Sequence, residues 1–426
     1  MQPRSLLAKH RVDLVLFAAA LCAYALSSGS LLAHQSLAPH FVWQAQAFLH
    51  GQLAMLGKPP NLNDWVLQDG RWYVSFPPFP AVLMMPGVAL FGLAFNDVAF
   101  TLLFAAANVA LFYRLLRRLR LLEEDEGCVP GSAAGAGVLA PAHESESRHA
   151  LFALLFGFGT LAWSCGIRGE VWFTAETIGV TLTLLYLHAS LRARHPVLAG
   201  LSVACAAITR TPLAFSAVFF VCEALFAPGP VRLARLREPG KLRSALGRLV
   251  PYGLAILAVA IPMALVNHAR FGSFSEFGHS HLYANRVNEQ VQRYGLFHYA
   301  FLERNLHAAF TRLPELQFNP FKLDFNGDGM SLFVTTPLFF WLLWPRQQTR
   351  LHRSLWLTCA LVAVPGFFYQ NSGWFQFGFR FSLDYTPYLM LILALSGHRL
   401  TKLFWAAAAL GVAVNAWGAM SFNRLY

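Results

Sequence analysis

The stretch VAFTLLFAAANVALFYRLLRRLR, residues 98–120, decides the fold. Its first part, Val98–Phe112, is an apolar run, and four arginines follow it between 114 and 120. A long apolar run that ends in a basic cluster is typical of a transmembrane helix with its basic end in the cytoplasm. Basic residues flank alternate ends of the other apolar runs in the same way, in clusters at 4–11, 192–194, 232–248, 346–353 and 399–402. We therefore predict an all-α polytopic membrane protein in which these clusters are cytoplasmic.

The composition independently favours a membrane protein. Hydrophobic residues make up 56% of the chain, charged residues make up 13%, and the mean hydropathy is +0.46. This composition leaves too little polar surface to cover a soluble domain. We expect about 11 transmembrane helices, within a range of roughly 10–13, because one bilayer crossing needs about 20 apolar residues. The runs lie at Val12–Leu32, Val98–Phe112, Ala150–Trp163, Phe173–Ala189, Val197–Ile208, Pro212–Phe226, Leu249–Val266, Ser331–Trp344, Leu355–Phe368, Leu383–Leu395 and Phe404–Met420.

Several functional classes are excluded by the sequence. The net charge is +12, but the basic residues lie beside apolar runs, where membrane orientation and contact with anionic lipids explain them. We therefore expect membrane lipids as partners and no nucleic acid. The chain has no phosphate-binding loop, no dinucleotide-binding fingerprint and no His-Glu-x-x-His metal pair, and its cysteines lack zinc-type spacing. No metal-ligating residue is predicted.

One integral membrane domain is expected over residues 1–426, with the N-terminus in the cytoplasm and the C-terminus outside. Phe79–Ala94 is apolar, but it is short and contains Pro86, and a crossing there would place the arginines of 114–120 outside. We therefore expect a helix in the outer interface, within a first outer loop at 33–96 that carries amphipathic helices. A second long outer loop is expected at 267–330. A small-residue and acidic stretch predicts a disordered cytoplasmic linker at 121–149.

The first outer loop contains four candidate functional residues. His40 lies in an amphipathic stretch, Asp64 precedes Trp65, and Asp69 and Arg71 belong to the segment Asp-Gly-Arg-Trp-Tyr. A belt of interfacial helices explains most of the aromatic residues around them. Asp69 and Arg71 have a second interpretation, a β-turn with a surface pair.

Further ionisable residues lie at the mouth of the next two apolar runs. Arg168, Glu170 and Trp172 fall within nine residues of Ser164, and Glu176 follows about one and a half turns into the next helix. A carboxylate at that depth is costly unless it is paired or reaches water, which makes it a functional candidate. The alternative is a structural ion pair that joins two helices.

Two arginines at later boundaries complete the candidate set. Arg210 lies between two apolar runs, where its forked donors suit a phosphate oxygen, although snorkelling to lipid headgroups is the alternative. Arg380 and Asp384 have the i, i+4 spacing of a helical ion pair. The aromatic residues of 374–381 are candidates for the wall of an isoprenoid groove, and ordinary core packing explains them equally well.

Taken in order, these segments resemble bacterial polytopic glycosyltransferases of the GT-C superfamily, in particular the protein O-mannosyltransferase-like group. The resemblance covers nearly the whole chain. It is carried by Gly70-Arg71-Trp72-Tyr73 before Phe76-Pro77-Pro78, Gly159–Trp163 before Arg168–Trp172, Ile208–Pro212, Asn267–Gly272, Gly329–Leu332 and Gly378-Phe379-Arg380.

The resemblance implies transfer of a sugar from a polyprenyl-phosphate carrier to a lipid, glycan or protein acceptor on the extracytoplasmic face of the bacterial inner membrane. Such a transfer needs a carboxylate to deprotonate the acceptor and cations to hold the departing phosphate. The resemblance also allows a divalent cation as a cofactor. The implied catalytic candidates are Asp64, Asp69, Glu170 and His40, and the implied substrate-binding candidates are Arg168, Arg210, Arg380, Glu176, Trp172 and Arg71.

This sequence departs from the family pattern at one position. The superfamily usually carries an acidic residue early in the first outer loop, but here no Asp or Glu occurs between His34 and Asn63. Asp64 or Asp69 takes that role, or His40 acts as the base, or the chain does not catalyse the transfer. A lipid-binding protein, flippase or transporter of the same pathway, or a non-enzymatic assembly factor, is the alternative function.

Overall fold

The apolar runs of the sequence form a bundle of helices. The computed structural model describes residues 11–59, 61, 63–124, 142–282, 285–318 and 321–422. The helices are α1 Arg11–Ser28, α2 His40–Leu49, α3 Phe79–Phe91, α4 Asp97–Glu124, α5 Ala142–Phe158, α6 Ala162–Gly166, α7 Val171–Ser190, α8 Pro196–Ala207, α9 Ala217–Phe226, α10 Lys241–Phe271, α11 Asn285–Tyr294, α12 Leu302–Leu306, α13 Leu332–Thr335, α14 His352–Phe368, α15 Thr386–Leu395 and α16 Lys402–Ser421.

Two antiparallel hairpins complete the described part of the chain. They pair β1 Trp65–Gln68 with β2 Arg71–Val74, and β3 Glu315–Phe318 with β4 Phe321–Asp324. The long loop predicted at 267–330 therefore contains α11, α12 and the second hairpin. The all-α fold class is confirmed.

Each predicted apolar run contains helix, but several of the runs are interrupted. Ala150–Trp163 is broken at residues 159–161, between α5 and α6. Ser331–Trp344 forms the short helix α13 and then a 3₁₀ helix, Pro337–Leu343. Pro212–Phe226 likewise begins as a 3₁₀ helix, Thr211–Ser216, and continues as α9. Both 3₁₀ segments have proline in their first turn, where the ring disfavours α conformation in the preceding residue.

Four helices within the described residues are long and apolar enough to cross a membrane. They are Arg11–Ala33, Asp97–Leu122, Lys241–Phe271 and Lys402–Ser421, with mean hydropathies of 1.5 to 2.3. Phe79–Ala94, Pro196–Ala207, Thr211–Phe226 and Thr386–Leu395 are apolar but shorter. The chain is thus a multi-pass membrane protein, and the total of about 11 crossings stays a prediction.

The first long loop forms a layer of short helices. Helix α3 has 13 residues and a length of about 20 Å, which is less than the roughly 30 Å of a bilayer core. It packs on α2 through a cluster that includes Phe41, Val42, Met84 and Val88. This cluster buries one face of each helix, and the interfacial position of α3 stays a prediction.

A buried glutamate gathers several basic loops at one end of the bundle, which we call the basic end. Glu223 in α9 accepts two hydrogen bonds from Arg350, at 2.7 and 3.2 Å, and one from the backbone N–H of Arg192 at 2.7 Å. Arg248 donates to the carbonyl of Arg192 at 3.0 Å. Three of the clusters that the sequence assigns to the cytoplasm, at 192–194, 232–248 and 346–353, therefore meet on one side. Helix α7 has 20 residues and rises about 30 Å from this end to Val171.

The predicted linker at 121–149 is corrected at both ends. Residues 121–124 continue α4, and residues 142–149 belong to α5. Both helices extend beyond their apolar runs because their polar ends carry no proline or glycine that would stop them. The middle of the predicted linker, 125–141, and the basic cluster at 4–10 lie outside the described residues.

Candidate active site

A cavity of about 540 Å³ lies at the end of the bundle opposite the basic end. Its wall comes from six parts of the chain: the loop at 64–77, the start of α7, the turn at 209–215, the segment 275–282, residues 296–297, and the region from α14 to Tyr385. Asp64, Trp172, Arg210 and Arg380, all predicted from the sequence, line it. The fold therefore brings these four residues together from positions more than 300 residues apart.

A network of two arginines and two carboxylates forms the charged wall of this cavity. Arg210 donates to Asp384 through Nε and Nη2, at 2.5 and 2.7 Å. Glu176 lies behind them, and its Oε1 is 3.5 Å from Arg210 Nη1 and 3.2 Å from Arg380 Nη1. We call Glu176, Arg210, Arg380 and Asp384 the charge quartet. Its formal charges cancel, which is how four ionised groups are tolerated at this depth.

The predicted i, i+4 pair between Arg380 and Asp384 is wrong. Arg380–Asp384 forms a 3₁₀ helix, in which a turn has about 3.0 residues, so side chains four apart do not lie above one another. Arg380 pairs with Glu176, and Asp384 pairs with Arg210. Both partners are distant in sequence.

Backbone contacts hold Arg380 in place. Its Nε donates to the carbonyl of Gly373 at 3.0 Å, and its backbone N–H donates to Gln376 Oε1 at 2.9 Å. The amide group of Gln376 donates in turn to the carbonyls of Asp328 and Ser372, at 2.7 and 2.8 Å. Gln376 is fully buried, so the guanidinium of Arg380 sits on a rigid support.

Asp64 is a half-buried carboxylate that also lines the cavity. Its backbone is left-handed, with φ at +58°, a conformation that Asp and Asn tolerate better than most residues. The hydroxyl of Ser75 donates to its carbonyl at 3.0 Å, and the indole Nε1 of Trp172 donates to its Oδ2 at 2.8 Å. Within the described part of the chain, no arginine or lysine pairs with Asp64.

His40 lies behind Asp64 and does not line the cavity. Its ring stacks on Trp65 with centroids 4.2 Å apart, and its Nε2 is 2.9 Å from the carbonyl of Asn63. Burial lowers the pKa of His40 despite the nearby Asp64 charge. The ring therefore supports the loop that carries Asp64.

Asp69 and Arg71 lie away from the cavity. Asp69 and Gly70 have φ of +50° and +72°, which form the tight turn between β1 and β2. Gln68 pairs with Arg71 in the ladder, and both Asp69 and Arg71 are exposed. This geometry matches the β-turn interpretation of the segment.

Arg168 and Glu170 form a buried ion pair outside the cavity wall. Nε and Nη2 of Arg168 donate to the two oxygens of Glu170 at 3.2 and 2.7 Å, and Nη1 donates to the carbonyl of Phe422 at 2.9 Å. The rings of Phe173 and Phe422 cover the guanidinium at 5.3 and 4.9 Å. This arrangement joins the start of α7 to the end of α16.

The early part of the first long loop does receive a carboxylate, but from a distant residue. Asp97, at the start of α4, accepts hydrogen bonds from the backbone N–H and the hydroxyl of Ser36, at 2.8 and 2.6 Å. Asp97 is buried and does not line the cavity. This contact is not evident from the sequence, because the two residues are 61 positions apart.

Glu276, His279 and Tyr369 line the cavity and were not predicted as site residues. Burial alone would raise the pKa of Glu276, but hydrogen bonds from Ser280 and from the Gly278 backbone lower it overall. Burial lowers the pKa of His279, whose ring packs edge-on against Tyr369. The positive φ of Gly278, +108°, marks the turn that presents them, but a glycine alone does not reveal a site.

Apolar side chains form much of the remaining wall. Phe215, Leu296, Phe297, Val362 and Ala363 line it beside the charge quartet. Phe215 and Phe297 are about half exposed, at 49% and 55%. The cavity wall thus contains a set of charged residues and a set of apolar residues, which we call its charged half and its apolar half. Among the described residues, no group of three or more His, Cys, Asp and Glu side chains is placed to hold a metal ion.

Comparison with known proteins identifies the fold. No protein-family model and no curated protein sequence matches the chain. Among solved structures, the chain is similar to ArnT from Cupriavidus metallidurans bound to undecaprenyl phosphate. The match covers 94% of this chain and 63% of the ArnT chain, with 14% identity and a TM-score of 0.51. The oligosaccharyltransferase AglB from Archaeoglobus fulgidus, in complex with an inhibitory peptide and a dolichol-phosphate, matches 98% and 56%, with 13% identity and a TM-score of 0.42.

The comparison shows that this chain shares the overall fold of the ArnT structure, which is the kind of fold that the sequence predicted. The finer resemblance to the protein O-mannosyltransferase-like group stays a prediction. The chain spans 63% of the length of the ArnT chain, so a large part of that protein has no counterpart here.

Proposed function

We propose that this GT-C-fold chain is a membrane glycosyltransferase that moves a sugar from a polyprenyl-phosphate donor to a lipid, glycan or protein acceptor. The observation that carries the proposal is the division of one cavity into an apolar half and a charged half that contains an unpaired carboxylate. A long apolar chain with a phosphate and a sugar at its end has the same division. The solved ArnT structure, which has undecaprenyl phosphate bound, supports this class of ligand.

The apolar half suits the isoprenoid chain of the donor. Phe215 belongs to the 3₁₀ segment Thr211–Ser216, and Val362 and Ala363 belong to α14, which packs beside that segment. Leu357 and Val364 on the same helix are 44% and 46% exposed, as expected for side chains that face lipid. A prenyl chain between these elements would leave the bilayer without crossing a polar surface.

The charge quartet suits the phosphate. Arginine offers planar donors in the geometry of a phosphate oxygen pair. Arg210 and Arg380 are both held by carboxylates, so the donor phosphate competes with Glu176 and Asp384 for their N–H groups. The neutral quartet keeps both guanidiniums in place before the donor arrives.

Asp64 is the proposed general base. In the transfer, the acceptor oxygen forms a bond to the anomeric carbon, the bond from that carbon to the phosphate oxygen breaks with its electron pair, and the acceptor proton moves to Asp64. Glu176 and Asp384 are engaged by arginines, whereas the Asp64 carboxylate accepts one hydrogen bond from an indole. An unpaired carboxylate retains a lone pair for the acceptor proton.

We further propose that the cavity faces outward from a bacterial cytoplasmic membrane, because the opposite end of the bundle collects the basic loops. A polyprenyl-phosphate donor on the outer leaflet would then reach the cavity from the bilayer. A divalent cation remains a proposal of the family resemblance alone. The described residues provide no three-ligand group for it.

The test is lipid and glycan profiling by mass spectrometry in a strain that lacks this chain. The deletion strain is complemented with wild type, with Asp64→Asn, or with Asp69→Asn as the matched control from the exposed hairpin turn. Asparagine tolerates the left-handed backbone of position 64, so the variant removes the carboxylate without backbone strain.

We expect the deletion to abolish one envelope glycan modification. Wild type and Asp69→Asn restore it, and Asp64→Asn reduces it by about 100-fold or more, the usual loss when a general base is removed. An unchanged glycan and lipid profile in the deletion strain would contradict the transferase and favour a lipid-binding or transport role. Full restoration by Asp64→Asn would contradict the choice of base.

A further inference from the structure

Trp172 contacts both functional walls of the cavity. The edge of its indole donates a hydrogen bond to Asp64 Oδ2 at 2.8 Å. Its face lies toward the guanidinium of Arg380, whose central carbon is 6.0 Å from the ring centroid. Trp172 is thus the residue through which the unpaired carboxylate meets the charge quartet.

The position of Trp172 in its helix makes it a rigid link. It is the second residue of α7, and Glu176 lies four residues further on, so both project from the same helix face. Glu176 binds Arg210 and Arg380, and Trp172 binds Asp64. The first turn of α7 therefore fixes the carboxylate wall and the arginine wall relative to each other.

We propose that Trp172 is a positioning residue that aims the Asp64 carboxylate into the cavity and holds it at a set distance from Arg380. This inference rests on the proposed glycosyltransferase function. It goes beyond that function because it assigns to the indole N–H a role in the reaction, exerted through Asp64, and not direct contact with substrate.

Asp64 needs such support because it lies in a loop. Its main chain is held by Ser75, but that contact does not restrain rotation of the side chain about Cα–Cβ and Cβ–Cγ. Among the described residues, Trp172 is the hydrogen-bond donor to the Asp64 carboxylate. Loss of that bond frees the carboxylate to turn away from the acceptor, which costs rate even when the fold is unchanged.

The chain provides a matched control for the indole N–H. Trp163 donates from Nε1 to the hydroxyl of Ser27 at 2.9 Å, is half-buried like Trp172, and does not line the cavity. Trp172→Phe and Trp163→Phe each remove one indole donor and keep an aromatic ring. Trp172→His keeps a ring N–H at a similar distance from Cβ and serves as the rescue variant.

The experiment measures the envelope glycan product in the deletion strain complemented with each variant, normalised to the amount of chain in the membrane. We expect Trp172→Phe to lower the product about tenfold or more, the usual effect of a lost hydrogen bond to a charged group. Trp163→Phe stays within about twofold of wild type, and Trp172→His recovers part of the loss. The double variant Trp172→Phe/Asp64→Asn falls no lower than Asp64→Asn, because both changes act through one carboxylate.

Full product with Trp172→Phe would overturn the positioning role, and so would a loss of the same size with Trp172→His. A purely structural role predicts equal losses of membrane-inserted chain in both Trp→Phe variants. The amount of chain in the membrane, which is measured for the normalisation, reports such a loss. Failure of the proposed function is distinguishable, because it appears as an unchanged product in the deletion strain or full product with Asp64→Asn, whatever Trp172→Phe does.

Discussion

Replacement of Arg210 by methionine tests whether the charge quartet holds the bundle together. Methionine keeps the length of the apolar stem and removes the guanidinium. Asp384 then loses two hydrogen bonds of 2.5 and 2.7 Å, and Glu176 loses an ion-pair contact of 3.5 Å. The side chains of Asp384 and Glu176 are 5% and 0% exposed, so both carboxylates stay buried after the partner is lost.

The expected cost follows from these contacts. A hydrogen bond to a charged group contributes about 1.5–3 kcal/mol, so two of them give roughly 3–6 kcal/mol. Removal of one partner from a buried ion pair costs about 3–5 kcal/mol, which agrees. We therefore expect Arg210→Met to lose about 4 kcal/mol of stability.

The double variant Arg210→Met/Asp384→Leu separates pairing from packing. It removes the stranded carboxylate, and Glu176 keeps its contact with Arg380 at 3.2 Å. We expect it to recover a large part of the stability, because an apolar pair of similar volume often substitutes for a buried ion pair at little cost.

The assay heats detergent-solubilised protein and measures the fraction that stays monodisperse on size-exclusion chromatography. Glu238→Gln is the control, since its pair with Arg235 is 3.0 Å long but the Glu238 side chain is 48% exposed. A surface pair of this kind contributes at most about 1 kcal/mol, so the control melts close to wild type. Wild-type stability of Arg210→Met, or a double variant no more stable than the single one, would refute the reasoning.

Three further predictions concern packing, pH and topology. Gly169→Ala places a Cβ 2.6 Å from the Val98 backbone nitrogen and should cost about 1–3 kcal/mol in thermal stability. The control, Gly247→Ala, lies in open space on α10 and should not destabilise the protein. Equal stability of the two variants would contradict this prediction. Burial lowers the pKa of His279, so the folded chain binds fewer protons than the unfolded chain and should lose stability as the pH falls below about 6.5. Between about pH 7.5 and 5.5, His279→Gln should lose less stability than wild type. An identical loss in the two proteins would count against this prediction. A cysteine at Glu289 should react with an impermeant maleimide in intact cells while one at Arg243 should not, and the reverse pattern would invert the proposed orientation.

Much of the fold was predictable, because a bilayer imposes strong constraints on a sequence. Each predicted apolar run contains helix, and the run at 79–94 is a short helix packed on α2. The interruption of Ser331–Trp344 was not predicted, although its cause, Pro337, is visible in the sequence. The helical ends of the 121–149 segment were missed because small and acidic residues outweighed the flanking helix formers in the interpretation.

The candidate site was predictable as a set of residue types, but its membership was not. Asp64, Trp172, Arg210 and Arg380 line the cavity as a group, and Glu176 lies directly behind them. Asp69, Arg71, Arg168 and Glu170 have equally suggestive local sequences, yet one pair occupies an exposed hairpin and the other joins two helices. Nothing in the neighbouring sequence separates the two groups.

The sequence alone determined that this protein lies in a lipid bilayer. It also determined which segments are apolar and which ends of the helices are polar. These properties depend on the transfer of side chains between water and lipid, which each residue carries with it along the chain. The tertiary structure alone decided that Arg210 pairs with Asp384, 174 residues away, and that Arg380 pairs with Glu176, 204 residues away. The reason is that a buried charge takes the nearest opposite charge in space, and that distance is set by how the helices pack and not by their spacing in the chain.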